Sequence, residues 1–524
     1  MKLTTRVSTL TVALCATATT LAACGGGGTS STAASGADSN VVDGGTFTMA
    51  LKSDPGNLDP QSSAQSALFT VTQLAYDPLL SVASDSGEIQ SGLATSWKEH
   101  GKKITLTLAD GITCSDGSDF TASDAAANIA YVADPANKSP FLGTFLPVGA
   151  KATADNASRT LTITLASPAP FTLNGLASLP MVCKKGMKDR KSLRNTTDGT
   201  GPYQLTQAAP GDHFTYQIRD GYTWGPNGAT TATEGMPDQV VVKVVENEST
   251  AANLLLSGGL NAAQVLGPDA TRLDKAGLFT AKTTALIGEQ WYNHADGHAT
   301  SDPAVRMALT QALDLGQLEK VLTSNSGSPA TTLAAIEPVA CPGDSISAAL
   351  PAQDVSAATS AAKKASPDTL TFIYDTSGGP AVAAAAELAV QQWKAAGFDV
   401  KAKGQDETAI NQLLFGTGDW DIAWVPLNVN SPDQLVPFLS GAGLADGGTN
   451  FSAIDNKDYT AAVQKASALP GTQGCDTWLG AESDLVSAAD IVPFANSQVK
   501  TFGNGAEFET PGQLVPTSIR MVAK

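Results

Sequence analysis

Histidine, cysteine and paired carboxylates are the side chains with which this chain could do chemistry, and their spacing is unfavourable. The only histidines are His100, His213, His294 and His298. His294 and His298, four residues apart, would align on one helix face and with Asp296 could hold a metal ion. Gly297 and its polar neighbours predict a solvated turn instead, and no third ligand follows at a metal-binding spacing, so neither a metal nor another cofactor is expected. No cysteine belongs to a CxxC pair, and GxxxxGK, GxGxxG after a strand, HExxH and GxSxG are all absent. The 50 Asp and Glu residues are too many for spacing to single out a glycosidase pair. A secreted hydrolase would need a convergent nucleophile or carboxylate pair that the sequence does not reveal, and binding without catalysis is the expectation.

The elements that would position a binding site are strands and helices in alternation. Period-two apolar patterns mark strands at Phe47-Met49-Leu51, Ile104-Leu106-Leu108 and Leu161-Ile163-Leu165, and a continuous apolar run at Val240-Val241-Val242 marks another. Thr121 to Asp124 has capping-box spacing and predicts a helix through Ile129 and Val132. Asp302-Pro303 predicts another, with a carboxylate cap and proline in the first turn. A strand at 369–375, a helix from Pro380 to about Ala396 stopped by Gly397, and a strand from Phe398 to Lys403 predict a right-handed βαβ unit with parallel strands. Pro338 to Pro367 predicts surface loops with a helix.

With 524 residues and 42% of them hydrophobic, the chain can bury large cores in more than one unit. The net charge of −18 argues against a nucleic-acid partner, because phosphate binding needs clustered cations. Residues 1–23 read as an export signal, with Lys2 and Arg6 ahead of a weakly apolar stretch and small residues. Leu21-Ala22-Ala23-Cys24 resembles the lipobox of bacterial lipoproteins, which implies that Cys24 is diacylated and anchors the protein on the extracytoplasmic face of the cell membrane. Residues 24–43, rich in Gly, Ser, Thr and Ala, predict a flexible tether. Without residues 1–23 the chain has 30 basic and 50 acidic residues, a net charge of −20. Export permits disulfides among Cys114, Cys183, Cys341 and Cys475, for which three pairings exist.

Several ordered blocks resemble the extracellular solute-binding proteins of family 5, the peptide/nickel/opine group that feeds ABC importers. They are Gly44-Gly45-Thr46-Phe47 through Leu58-Asp59-Pro60, Tyr76-Asp77-Pro78-Leu79-Leu80, Leu93-Ala94-Thr95-Ser96-Trp97, and Leu106 to Ile112 with Ser115 to Asp124. Gly199-Thr200-Gly201-Pro202-Tyr203, Gly221-Tyr222-Thr223-Trp224 and Asp302-Pro303-Ala304-Val305-Arg306 follow in the family's order. The resemblance implies an α/β, two-lobed periplasmic-binding-protein-like fold (type II, cluster C-like). The first lobe would span 44–285, including an extra subdomain at about 81–170, the second 286–495, and 496–524 would return to the first. Bridges within lobes leave a hinge free, so Cys114 is expected to pair with Cys183 and Cys341 with Cys475. Trp97 and Trp224 are expected to pack rather than bind.

The function implied is a monomeric, lipid-anchored receptor that encloses a small solute, an oligopeptide or related compound, and delivers it to an ABC permease. Gly418 to Trp424 resembles the family's strand leading into the cleft, and Trp291-Tyr292-Asn293 the entry into the second lobe. Ligand contacts are therefore expected from Trp424, Asn428 and Asn430 and from Trp291 and Asn293. Peptide-binding members hold the ligand's ammonium with an aspartate where this chain has Asn428. An amide supplies no opposing charge, which turns the expectation toward oligosaccharides, opine-like compounds or blocked peptides. Asp421 and Asp433 are the candidate substitutes for that carboxylate, with Asp433 read rather as a helix cap.

Overall fold

A computed structural model describes residues 41–523, so Cys24, the signal segment and most of the expected tether lie outside the described residues. Local chemistry sets the helix starts. Thr121 N–H donates to Asp124 Oδ2 at 2.8 Å and Asp124 N–H to Thr121 Oγ1 at 3.4 Å, closing the capping box on helix Ala122–Ala133. Such a cap contributes about 1 kcal/mol. Asp302 Oδ1 accepts from Ala304 N–H at 2.8 Å at the head of helix Pro303–Gln311. Strands Leu370–Asp375 and Val400–Gln405 pair in parallel around helix Pro380–Ala395, which buries Ala385, Ala386, Ala389 and Trp393 against them. Helix Val355–Ala365 occupies the proline-rich stretch.

The main sheet has eleven strands and is two sheets joined by a ribbon. Strands Phe279–Tyr292 and Ile491–Gly503 pair antiparallel from Phe279↔Gly503 to Trp291↔Ile491, with a register irregularity around Gly288. At one end of this ribbon Ala262–Gln264 pairs with Ile491–Gly503, and Thr46–Leu51, Gln239–Val244, His213–Ile218 and Tyr203–Ala209 continue outward. At the other end Ile422–Trp424 pairs with Phe279–Tyr292 and leads to Leu370–Asp375 and Val400–Gln405. Each end has its own apolar cores, around Phe47, Leu68 and Tyr216 at the first and around Phe372, Trp393 and Trp478 at the second. A separate four-stranded antiparallel sheet (94–100, 103–108, 160–164 and 151–155) packs with helix Ala122–Ala133 around Ile104, Leu106, Ile129 and Ile163. The cysteines pair as Cys114–Cys183 and Cys341–Cys475, each bridge staying within its own half.

Three distant sequence blocks converge on one carboxyl. Asp77 is buried, and Thr200 Oγ1 (2.9 Å), Tyr222 Oη (2.9 Å) and Trp224 Nε1 (3.2 Å) all donate to it. Burial raises its pKa to about 6 against the pull of these donors. Gly199 and Gly201 let the chain approach Tyr76-Asp77 closely. A Cβ on Gly199 would fall 2.3 Å from the Ala75 carbonyl oxygen, and one on Gly201 2.5 Å from the Ala75 carbonyl carbon. Trp224 therefore packs and closes a polar hub.

Candidate ligand-binding site

The segment 425–430 leaves strand Ile422–Trp424 and runs beside the ribbon at its irregularity. Asn428 is exposed, yet its amide is matched to the ribbon backbone: Leu286 N–H donates to Oδ1 at 2.9 Å and Nδ2 donates to the Leu286 carbonyl at 3.0 Å. Asn430 is tied by its backbone, donating to Gln434 Oε1 at 3.2 Å and accepting from Ala340 N–H at 2.8 Å. Its side-chain oxygen is buried and has no partner among the described residues.

The aromatic residues expected at the ligand are core residues in this arrangement. Period-two geometry turns the Trp424 ring onto Phe372 and Phe494, with both centroids 5.1 Å away, and its Nε1 donates to Gln290 Oε1 at 2.9 Å. Trp291, fully buried, packs on Phe451 at 4.8 Å and donates to the Val425 carbonyl at 3.0 Å. Asn293 donates to the Trp420 carbonyl (3.0 Å) and the Gly418 carbonyl (3.2 Å) and accepts from Ala295 N–H (3.0 Å), and it is buried among these partners. Asp421 accepts from Thr371 N–H at 2.7 Å and lies 3.0 Å from His298 Nδ1. Asp433 is coupled to Ser431 Oγ at 2.6 Å, and burial raises its pKa to about 6.

Sequence reasoning missed two buried acids beside this segment. Glu289, on the ribbon, accepts through Oε2 from Leu427 N–H at 2.7 Å and Trp291 Nε1 at 3.2 Å, while its buried Oε1 has no partner among the described residues. Desolvation raises its pKa to about 8, with the Glu482 charge adding to the effect. Glu482 accepts from Ser345 Oγ (2.6 Å) and Leu333 N–H (3.1 Å), and burial raises it to about 7. One helical turn earlier on the same helix stands Trp478, whose buried Nε1 also lacks a partner among the described residues. The available signal was a lone acid in the otherwise uncharged run 285–292.

The two halves meet beside these residues. Phe171 is the one member of the Trp478 core that comes from the first half, with its ring 6.3 Å from Trp478. A side chain on Gly143 would lie 3.3 Å from Pro437, and one on Gly87 3.0 Å from Pro338, so the seam continues on both sides. His294 is half-buried, with its pKa lowered to about 3, chiefly by desolvation. His298 and Asp421 line a basin of about 530 Å³ with Ser301, whose hydroxyl donates to the His298 carbonyl rather than to the ring. No group of three His, Cys, Asp or Glu side chains suited to a metal ion occurs among the described residues. Segment 425–430 thus lies near a contact between the halves and carries a buried polar atom, Asn430 Oδ1, that has no partner among the described residues.

Comparison with known proteins agrees with this architecture. The profile of bacterial extracellular solute-binding proteins, family 5 Middle, matches residues 88–446. The periplasmic murein peptide-binding protein MppA of Escherichia coli is 26% identical over 481 residues, covering 84% of this chain and 86% of that protein. Among solved structures, a substrate-binding protein from Microbacterium hydrocarbonoxydans complexed with 4-hydroxybenzoate hydrazide is 25% identical, with a TM-score of 0.79 over 91% of this chain and 100% of that one. The Escherichia coli murein tripeptide binding protein MppA superimposes with a TM-score of 0.76 at 20% identity over 92% of this chain and 100% of that one. The fold is the two-lobed periplasmic-binding-protein architecture, and the chain belongs to the bacterial extracellular solute-binding proteins of family 5.

Proposed function

We propose that this protein is a lipid-anchored receptor of an ABC importer that closes around a peptide or related small solute and presents it to a permease. The observation that carries this reading is the ribbon of Phe279–Tyr292 and Ile491–Gly503, which joins two separately cored halves whose facing surfaces meet at Phe171 and Trp478. Two rigid bodies on a narrow connection can hinge, and a ligand touching both makes the closed state more favourable. The first lobe takes in 44–285 with its subdomain at about 81–170, the second 286–495, and 496–524 returns to the first. Cys24 carries the acyl anchor on the extracytoplasmic face.

Of the expected contacts, Asn430 is the one we assign directly to the ligand, because its buried acceptor is unmatched. Trp424, Asn428, Trp291 and Asn293 shape the site from behind. The absence of a carboxylate at Asn428 favours a solute without a free α-ammonium at that place, and the hydrazide held by the Microbacterium protein is of that kind. Thermal shift against free peptides, N-blocked peptides and aromatic hydrazides tests this reading. Saturable stabilisation with the compound recovered unchanged is the expected result. Indifference to the whole panel removes the receptor function, and consumption of a compound replaces it with catalysis.

A further inference from the structure

The acidic surface has one sharp exception. Between Lys184 and Arg194 lie six basic residues and one acid, so the rest of the chain from residue 24 carries 24 basic against 49 acidic residues, a net −25. The segment is built rigidly. Cys183, at its head, is bonded to Cys114, Leu58 N–H donates to the Leu193 carbonyl at 3.0 Å, and Arg190 forms a two-pronged ion pair with Asp59. Arg190 also lies over the Tyr131 ring, 4.1 Å from its centroid.

The remaining cations point outward. Lys184 and Lys188 share a face of helix Lys184–Lys188 at i, i+4, and Lys191 and Arg194 share a face of the 3₁₀ turn Arg190–Arg194 at i, i+3. All four are exposed, and none has an ion pair among the described residues. Lys185 differs, since Asp116 and Asp198 feel its charge. Lys191 and Arg194 edge an open basin of about 540 Å³ that Asn57 and Ser62 also line, roomy enough for an anionic headgroup.

We propose that this segment is a membrane-facing surface that docks on anionic phospholipid headgroups and orients the receptor on the bilayer. The proposal rests on the anchoring proposed above. The 17 residues from Cys24 to Asn40 can span at most about 60 Å, which keeps the folded part within reach of the surface. A basic segment on a body of −25 fixes a direction: the field of an anionic bilayer attracts Lys184, Lys188, Lys191 and Arg194 and repels the net charge of the rest. An acyl chain combined with a basic patch holds a protein at a membrane more firmly than either alone.

The test uses the exported chain with Cys24→Ser, so that acylation plays no part. Co-sedimentation with vesicles of phosphatidylcholine alone, and of equal phosphatidylcholine and phosphatidylglycerol, is measured at low and at physiological salt. Binding only to the phosphatidylglycerol vesicles, weakened by salt, is expected. The quadruple variant Lys184→Gln/Lys188→Gln/Lys191→Gln/Arg194→Gln, checked for an unchanged melting temperature, should bind roughly 600-fold more weakly, because each cation near such a surface contributes roughly fivefold. No binding to phosphatidylglycerol vesicles, equal binding by the variant, or retention by polyglutamate without vesicle binding overturns the proposal, the last by reassigning the patch to an acidic protein partner. Anchoring is judged separately, by membrane partition of the unmodified chain in cells, and its failure would leave the vesicle result standing.

Discussion

Asp77 in the first half and Glu289 in the second are both buried carboxyls raised by desolvation, and they differ in what surrounds them. Asp77 receives three side-chain donors from two other sequence blocks. Glu289 receives two on one oxygen and, among the described residues, none on the other, and the same half holds Trp478 Nε1 and Asn430 Oδ1, likewise unmatched. A satisfied buried carboxyl organises a fold, whereas an unsatisfied one leaves a polar atom without the compensation it had in water. The Asp77 hub of the first half is thus an architectural feature, whereas the unmatched Asn430 Oδ1 of the second half is what the proposed site rests on.

The strongest test of this contrast removes a frame residue of the second half. Trp424→Ala should cost about 3–5 kcal/mol as a buried aromatic and lower the melting temperature by several degrees. A weakened ligand affinity with unchanged melting temperature would return Trp424 to the ligand surface. In the first half, Asp77→Ala should destabilise by roughly 2–4 kcal/mol by orphaning the Tyr222 and Thr200 hydroxyls and leaving Trp224 Nε1 only the Thr200 carbonyl, and chemical denaturation measures it. A loss under 1 kcal/mol would dissolve the hub.

A pH series then separates the two acids. An acid whose folded pKa is raised binds more protons folded than unfolded, so stability is fully present below the unfolded value and falls as pH rises through the folded one. For Asp77 that decline ends near pH 6, for Glu482 near 7 and for Glu289 near 8. His294, lowered to about 3 from 6.5, works in the other direction and is flat above pH 6.5. The melting temperature should therefore fall between pH 6.5 and 8, and Glu289→Gln should remove most of that slope. An identical slope in the variant would show that Glu289 is ionised throughout. The smallest effect belongs to Asn430→Ala, with stability within about 0.5 kcal/mol of the parent and ligand affinity lower by roughly five- to tenfold. A ligand identified by thermal shift that binds this variant equally well would take Asn430 out of the site.

Local rules made much of the fold legible. The Thr121 box, the Asp302-Pro303 start and the strand-helix-strand at 370–405 depend on neighbours within a few residues, and the cysteines pair as the two-lobed resemblance implied. The site was legible only in outline. Position along the chain placed Trp424 and Trp291 near the entry to the second half, but which way a ring turns depends on Phe372, Phe494 and Phe451, residues up to 160 positions away. Burial of Glu289 and Glu482 is likewise a tertiary property, because an acid in a sequence looks the same whether water or Leu333 and Leu427 surround it.

The ribbon also dictates when the molecule can fold. Strand Ala262–Gln264 needs Thr501 to Gly503 as its partner, and the first core includes Ala506, Phe508, Leu514 and Ile519. The half that is synthesised first thus waits for residues 501–519 before its core is complete. Until residues 501–519 have been made that half keeps apolar surface uncovered, so the completion of its core and the closing of the ribbon are one event.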